Sequence, residues 1–198
     1  MTSKLIVNSI RHTGASADAI TMDASGNVTF PANATCSGTA AGFGGITMVD
    51  NWRLSVGFVG GTQDLTSNWE RNDDNFSKIG TGMTESSGIF TFPETGIYRI
   101  DFSAGAVTSN QQVRYMGGII LLTDNGLNSG FAERASGYQS ISNDVAAYCN
   151  IYLTTFFDVT DTSTHKAKFR VESEHSLTWD ASNSSNRTYA TFTRLGDT

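Results

Sequence analysis

The whole chain holds only two cysteines and two prolines, and the first shortage removes one architecture at once. Cys36 and Cys149 lie far apart, whereas a disulfide scaffold uses more cysteines at tighter spacing. They read as free thiols of a protein made in a reducing cytoplasm. Charge is also scarce: Asp, Glu, Lys and Arg make up 16% of residues and the net charge is -6. Binding a phosphate backbone needs clustered Lys and Arg, so nucleic acid is not an expected partner. Missing too is any apolar run of about eighteen residues, so no membrane insertion is expected. The opening Met-Thr-Ser-Lys-Leu-Ile-Val-Asn-Ser has too short an apolar core for a secretory signal.

Signs of catalysis are equally thin. His12, His165 and His175 fall in different segments, and none has a Cys or His at metal spacing, which argues against zinc. The glycines at 42, 44 and 45 lack the Lys-Ser/Thr of a phosphate loop. Ser, Thr and Asp are everywhere, so no triad stands out. The expectation is no enzyme and no cofactor. Calcium is the one metal to weigh, because Asp73-Asp74 and Asp158/Asp161 put carboxylates into loops. It wants about six to eight oxygens from a shaped loop, and neither stretch has that spacing. Solvated turn carboxylates are the plainer reading.

What is present points to β structure. Glycine numbers 20, aromatics reach 11%, and Ser, Thr and Asn are plentiful. A chain of 198 residues allows one domain plus a short appendage. Its centre is the stretch 88 to 102. Phe90 and Phe92 alternate with Thr91; Pro93-Glu94-Thr95-Gly96 then breaks the run, and Tyr98, Ile100 and Phe102 alternate with Arg99 and Asp101. That period predicts two strands joined by a tight turn. Pro93 presets the backbone at its entry and Gly96 supplies a left-handed conformation at its exit. The expected product is a hairpin forming one wall of a sandwich.

These residues, Gly88, Phe90, Thr91, Pro93, Gly96 and Tyr98, resemble the signature of the globular head of complement first-component q and its tumour-necrosis-factor-like relatives. The likeness spans roughly residues 46 to 196. It departs at Ile100, where the family usually has an aromatic residue, and at Arg194, where the family has a small one. The resemblance implies an antiparallel jelly roll that associates as a tight trimer. Strand-like runs at eight-to-twelve-residue spacing fit a sandwich independently.

The leading residues form a second unit. Residues 3 to 30 hold three short strand-like runs, with a turn at Asp23-Ala-Ser-Gly26-Asn27. Thirty residues enclose no core of their own. Leu5, Val7, Ile10, Ile20, Met22, Val28 and Phe30 must therefore be covered by something else, most economically by other copies. Lys4, Leu5, Val7 and Ile10, followed by Asp23, Gly26, Asn27, Val28, Thr29 and Phe30, resemble the N-terminus of many bacteriophage tail-fibre and virion structural proteins. In that family this end attaches the fibre to the virion, which makes Leu5, Val7, Ile10, Val28 and Phe30 the expected attachment residues. Residues 31 to 45 are small almost throughout and read as a linker or neck, which leaves 46 to 198 as the head.

The expected fold class is all-β: an antiparallel jelly-roll head preceded by a short N-terminal β segment, trimeric. The expected function is a phage virion structural protein, a trimeric tail fibre or receptor-binding tip contacting the host surface. The alternatives are a capsid decoration or head-fibre protein with the same head, and an extracellular cytokine-like ligand. Expected partners are self, other virion proteins through the N-terminus, and a host surface glycan or protein. Trp69 and Trp179 sit in polar loops, and exposed tryptophans stack on sugars and anchor interfaces. Trp69, Arg71, Asn72, Trp179 and Asp180 are thus the candidate binding residues. The competing account, tryptophans capping the end of the sandwich, stays open beside it.

Overall fold

The computed structural model describes residues 7–30, 45–109, 113–124, 130–142 and 144–198. The chain divides into two units, Met1–Phe43 and Gly44–Thr198. Leu5, Cys36 and nearly all of the expected linker at 31 to 45 lie outside the described residues.

The first unit is a three-stranded antiparallel ribbon, β1 (Ser9–Ile10), β2 (Ile20–Met22) and β3 (Val28–Thr29). Asp23 fastens its second turn by accepting from the backbone of Ser25 and Asn27, both at 2.9 Å. Gly26 takes φ 85°, a conformation that glycine adopts without strain. The register sets Ile10 against Ile20 and Met22 against Val28. Successive strand residues point to opposite faces, so these four share one face and Ser9, Thr21 and Thr29 the other. Ile10, Val28 and Phe30 are exposed, and Val7, Ile20 and Met22 are only half-buried. Within its own unit the ribbon leaves its apolar face uncovered.

In chain order the second unit adds β4 (Met48–Leu54), β5 (Phe58–Gly60), β6 (Gln63–Asp64), β7 (Trp69–Arg71) and β8 (Lys78–Ile79). Next come β9 (Thr84–Ser86), β10 (Ile89–Thr91), β11 (Gly96–Val107), β12 (Tyr115–Thr123) and β13 (Ala132–Ser140). The last are β14 (Tyr148–Val159), β15 (Lys166–Ser173), β16 (Leu177–Trp179) and β17 (Tyr189–Gly196). Every pairing is antiparallel. One sheet runs β13-β12-β15-β10-β9 with β6 beside β15; the other runs β5-β16-β11-β17-β4-β7, with β14 on β11 and β8 on β4. The two sheets make an antiparallel jelly-roll sandwich. No helix occurs among the described residues, so none is long and apolar enough to cross a membrane.

The central stretch is not the expected hairpin. β10 pairs with β9 and β15 in one sheet, whereas β11 pairs with β14 and β17 in the other. Residues 92 to 95 cross from one wall to the opposite one. Phe90, Phe92, Tyr98, Ile100 and Phe102 are all buried, because both walls send alternate side chains into the same interior. Phe90 lies at the middle, with ring centroids 5.1 Å from Phe192, 5.2 Å from Trp69 and 5.6 Å from Trp52. Gly96 meets its expectation at φ 142°; a Cβ there would sit 2.5 Å from the Gly196 carbonyl oxygen.

Other strands are set by equally local packing. β4 ends at Leu54 and β5 begins at Phe58, with Val56 exposed between them. β13 is an edge strand whose Ala135 packs on the core. Its inward residues are small. Gly137 must be small, because a Cβ there would lie 2.8 Å from Leu153. At Gly117-Gly118 the strand is continuous, and close packing is the reason for the pair: Tyr138 lies where the Gly117 Cβ would be. Arg194 points inward, donating from Nε to the Thr95 carbonyl at 2.9 Å.

Candidate binding surface

The two tryptophans expected to face solvent are core residues. Trp69 is 9% exposed and Trp179 1%. The indole Nε1 of Trp69 donates to the Leu65 carbonyl and that of Trp179 to the Gly60 carbonyl, both at 2.9 Å. Trp179 also stacks on Phe58 with centroids 6.3 Å apart. Neither ring offers a free face, because the polar loops seen in the sequence are the turns that close the sandwich over them. The capping account of these two residues is the one the geometry follows.

Arg71 is committed internally as well. Its Nε and Nη2 donate to the two oxygens of Asp50 at 2.9 and 3.2 Å, and its guanidinium lies 4.5 Å over the Trp52 ring. Asp50, fully buried, also accepts from Trp52 Nε1 at 2.9 Å and the Met83 amide at 2.7 Å. A buried carboxylate persists only with such partners. Next to it Arg53, 1% exposed, donates to Asn72 Oδ1 at 3.1 Å, Glu70 at 3.1 Å and Asp73 at 2.8 Å. Asp73, one of the carboxylates weighed for calcium, therefore belongs to an ion pair. Among the described residues no three His, Cys, Asp or Glu side chains gather as a metal site.

Asn72, 4% exposed, is tied inward too, accepting from Arg53 and donating from Nδ2 to Asn51 Oδ1 at 3.0 Å. It lies beneath a shallow dish of about 370 Å³, with Asn51, Asn75, Asn186 and Thr191. Asp180 belongs to an adjoining open dish of about 420 Å³, which shares Asn186. The second dish is built by four elements, among them β13, which supplies Gln139. β14 supplies Tyr148 and Asn150, β11 supplies Gly105, and the loop from β16 to β17 supplies Asp180, Asn186 and Arg187. Arg187 Nη1 donates to both oxygens of Asp180 at 2.8 and 2.9 Å. The Asp180 amide donates to the Gly105 carbonyl at 2.8 Å, and Thr188 Oγ1 donates to the Asp180 carbonyl at 2.6 Å. Asn150 Nδ2 donates to Ser103 Oγ at 3.1 Å. Behind the wall the Cys149 thiol is buried and donates to the Ala106 carbonyl at 3.3 Å. Burial pushes its pKa up, which leaves an unreactive thiol.

The pairing of β14 on β11 sets which of its residues face solvent. Cys149, Ile151 and Leu153 point inward, and the outward row is Tyr148, Asn150, Tyr152, Thr154, Phe156 and Asp158. Tyr148 is 79% exposed, Phe156 64% and Tyr152 52%. The Tyr152 hydroxyl donates to Asp101 at 2.7 Å, and that carboxylate raises the pKa of the phenol. β14 pairs only with β11, so this aromatic row runs along a sheet edge. Sequence reasoning missed it because two aromatics at 156 and 157 leave the register of alternation open.

No model of a known protein family matches the chain, and no curated protein matches it by sequence. Solved structures do match in shape. The chain is similar to murine APRIL at pH 5.0, with TM-score 0.56 and 15% identity over 75% of this chain and 98% of that one. A second structure of murine APRIL, at pH 8.0, gives 0.53 and 13%. The tumour-necrosis-factor protein Eiger from S. frugiperda gives 0.52 and 11%, over 76% of this chain and 93% of that one. At these identities the likeness establishes the fold: the chain has a tumour-necrosis-factor-like jelly roll.

Proposed function

We propose that this chain is a non-enzymatic attachment protein whose head works as a homotrimer. The observation that carries the proposal is the aromatic edge. Tyr152 and Phe156 stand exposed, two turns of the pleat apart, on the outer row of the edge strand β14. Exposed apolar patches of this kind mark interaction surfaces, and a closed ring of copies would hide them without leaving a free edge. Three heads on one stalk would then multiply weak contacts through avidity.

The resemblance of residues 4 to 30 to fibre N-termini supports placement on a bacteriophage virion, as a tail fibre or receptor-binding tip. In that reading the uncovered face bearing Ile10 and Val28 docks on another virion protein, and Val7 and Phe30 flank it. A capsid decoration protein would use the same parts. The fold likeness to APRIL and Eiger favours a second reading, an extracellular cytokine-like ligand.

Sedimentation of the full chain tests the trimer, with Tyr152→Ser/Phe156→Ser as the contrast. A trimer in the parent and a folded monomer in the double variant is expected. A parent that stays monomeric at micromolar concentration overturns the proposal. Labelling intact particles with antibody to the head separates tail from capsid, and labelling of neither removes the virion placement.

A further inference from the structure

We infer that the dish between β14 and the β16–β17 loop is a binding site for a neutral saccharide. This deepens the attachment reading and rests on it for biological purpose, though the site itself is argued from its own chemistry.

A sugar ring presents an apolar face and, along its rim, hydroxyls that donate and accept. Both needs are met here. Tyr148, four-fifths exposed, leaves an aromatic face available for stacking. Around it stand one acceptor-only group, Asp180, one donor-only group, Arg187, and three amides that do both, Gln139, Asn150 and Asn186. The Asp180–Arg187 fork is bidentate and already oriented, so little side-chain entropy is lost when vicinal hydroxyls bridge it. The fork is also neutral as a pair, and the whole chain carries -6. Neither favours a phosphate or a sialic acid.

Gly105 makes the dish. It lies at the floor, opposite Asn150 across the β11–β14 ladder. A Cβ there would meet the Arg187 carbonyl at 3.4 Å, Asn150 Nδ2 at 3.6 Å and Asp180 Cβ at 3.8 Å, all ordinary contacts. Its backbone tolerates a side chain, so the missing one is space left for something else. The volume of about 420 Å³ falls in the range of small-ligand sites. The adjoining asparagine-lined dish shares Asn186, which gives an oligosaccharide room to continue. Tyr148 lies four residues from Tyr152, the nearer of the two edge aromatics, about 13 Å along the strand, which leaves its ring outside that pair.

The test titrates the full chain with the methyl glycosides of galactose, glucose, mannose and N-acetylglucosamine, and with N-acetylneuraminic acid as the anionic contrast. Saturation-transfer NMR and calorimetry read binding. At least one neutral glycoside is expected to bind. Gly105→Val, Tyr148→Ala and Asp180→Asn should each weaken it about tenfold or more; Tyr148→Ala, which removes an exposed side chain, should leave thermal midpoint and sedimentation unchanged. No binding at tens of millimolar, equal binding by all three variants, or preference for the acidic sugar overturns the inference. Adhesion to cells separates the two levels. A Gly105→Val head that adheres like the parent removes the dish and leaves attachment standing, whereas a parent that neither adheres nor binds sugar removes both.

Discussion

The N-terminal ribbon and the head are written in the same two-residue alphabet, yet only one closes a core. In the ribbon, Ile10, Ile20, Met22 and Val28 share a face that its three strands leave uncovered. In the head, Phe90 and Phe192 come from opposite sheets and meet inside, their ring centroids 5.1 Å apart. Alternation tells which side of a strand is apolar; a second sheet must exist before that side becomes interior. The ribbon is therefore a β segment with an apolar face and no second layer of its own, and the head is a sandwich with two.

The contrast can be broken from the head first. Phe90→Ala removes the ring at the centre of the aromatic cluster and should cost about 3–5 kcal/mol, read by denaturant unfolding. A loss under about 1 kcal/mol would mean that the sandwich interior is not the stabilising core. Asp50→Ala should cost about 3 kcal/mol, since it strands the Trp52 and Met83 donors and the Arg71 charge. A smaller cut comes from the ribbon. Ile10→Ala should change the unfolding of the head by less than about 0.5 kcal/mol, because Ile10 is exposed within its own unit. A larger effect would show that the ribbon's face is covered in the folded protein, and would erase the difference between the regions.

The smallest effect is electrostatic. Arg114 at the entry to β12 donates from Nε to the Glu174 carboxylate just after β15, at 3.0 and 2.9 Å. That hydrogen bonding holds Glu174 at about 2, against an ordinary 4.5. A depressed carboxylate lends its stability above the unfolded value, and loses it as pH falls from about 4.5 to about 2. Glu174→Gln should flatten only that acid limb of the unfolding curve and leave neutral pH nearly unchanged, as expected of an exposed pair. A shift at neutral pH would contradict it.

Much of the fold was legible because strand chemistry is local. The alternation of Tyr98, Ile100 and Phe102 and the turn glycines Gly26 and Gly96 stand where the sequence puts them. The candidate site was legible only in fragments. Asp180 and Asn72 were singled out, but for the company of tryptophans that turn out to be buried. Asn150 and Arg187 carry no motif, and Tyr148 stands out only once the register of β14 on β11 is known.

By itself the sequence determined an all-β chain and the apolar face of those strands whose alternation is clean. These follow from side-chain period and turn chemistry within a few residues. Tertiary structure alone decided that residues 88 to 102 span both walls. It also decided that Trp69 and Trp179 are interior, and that Tyr148, Gly105 and Arg187, distant along the chain, share one dish. Backbone pairing is made between segments up to about a hundred residues apart, and the pairing, with the burial it brings, sets which side chains water can reach.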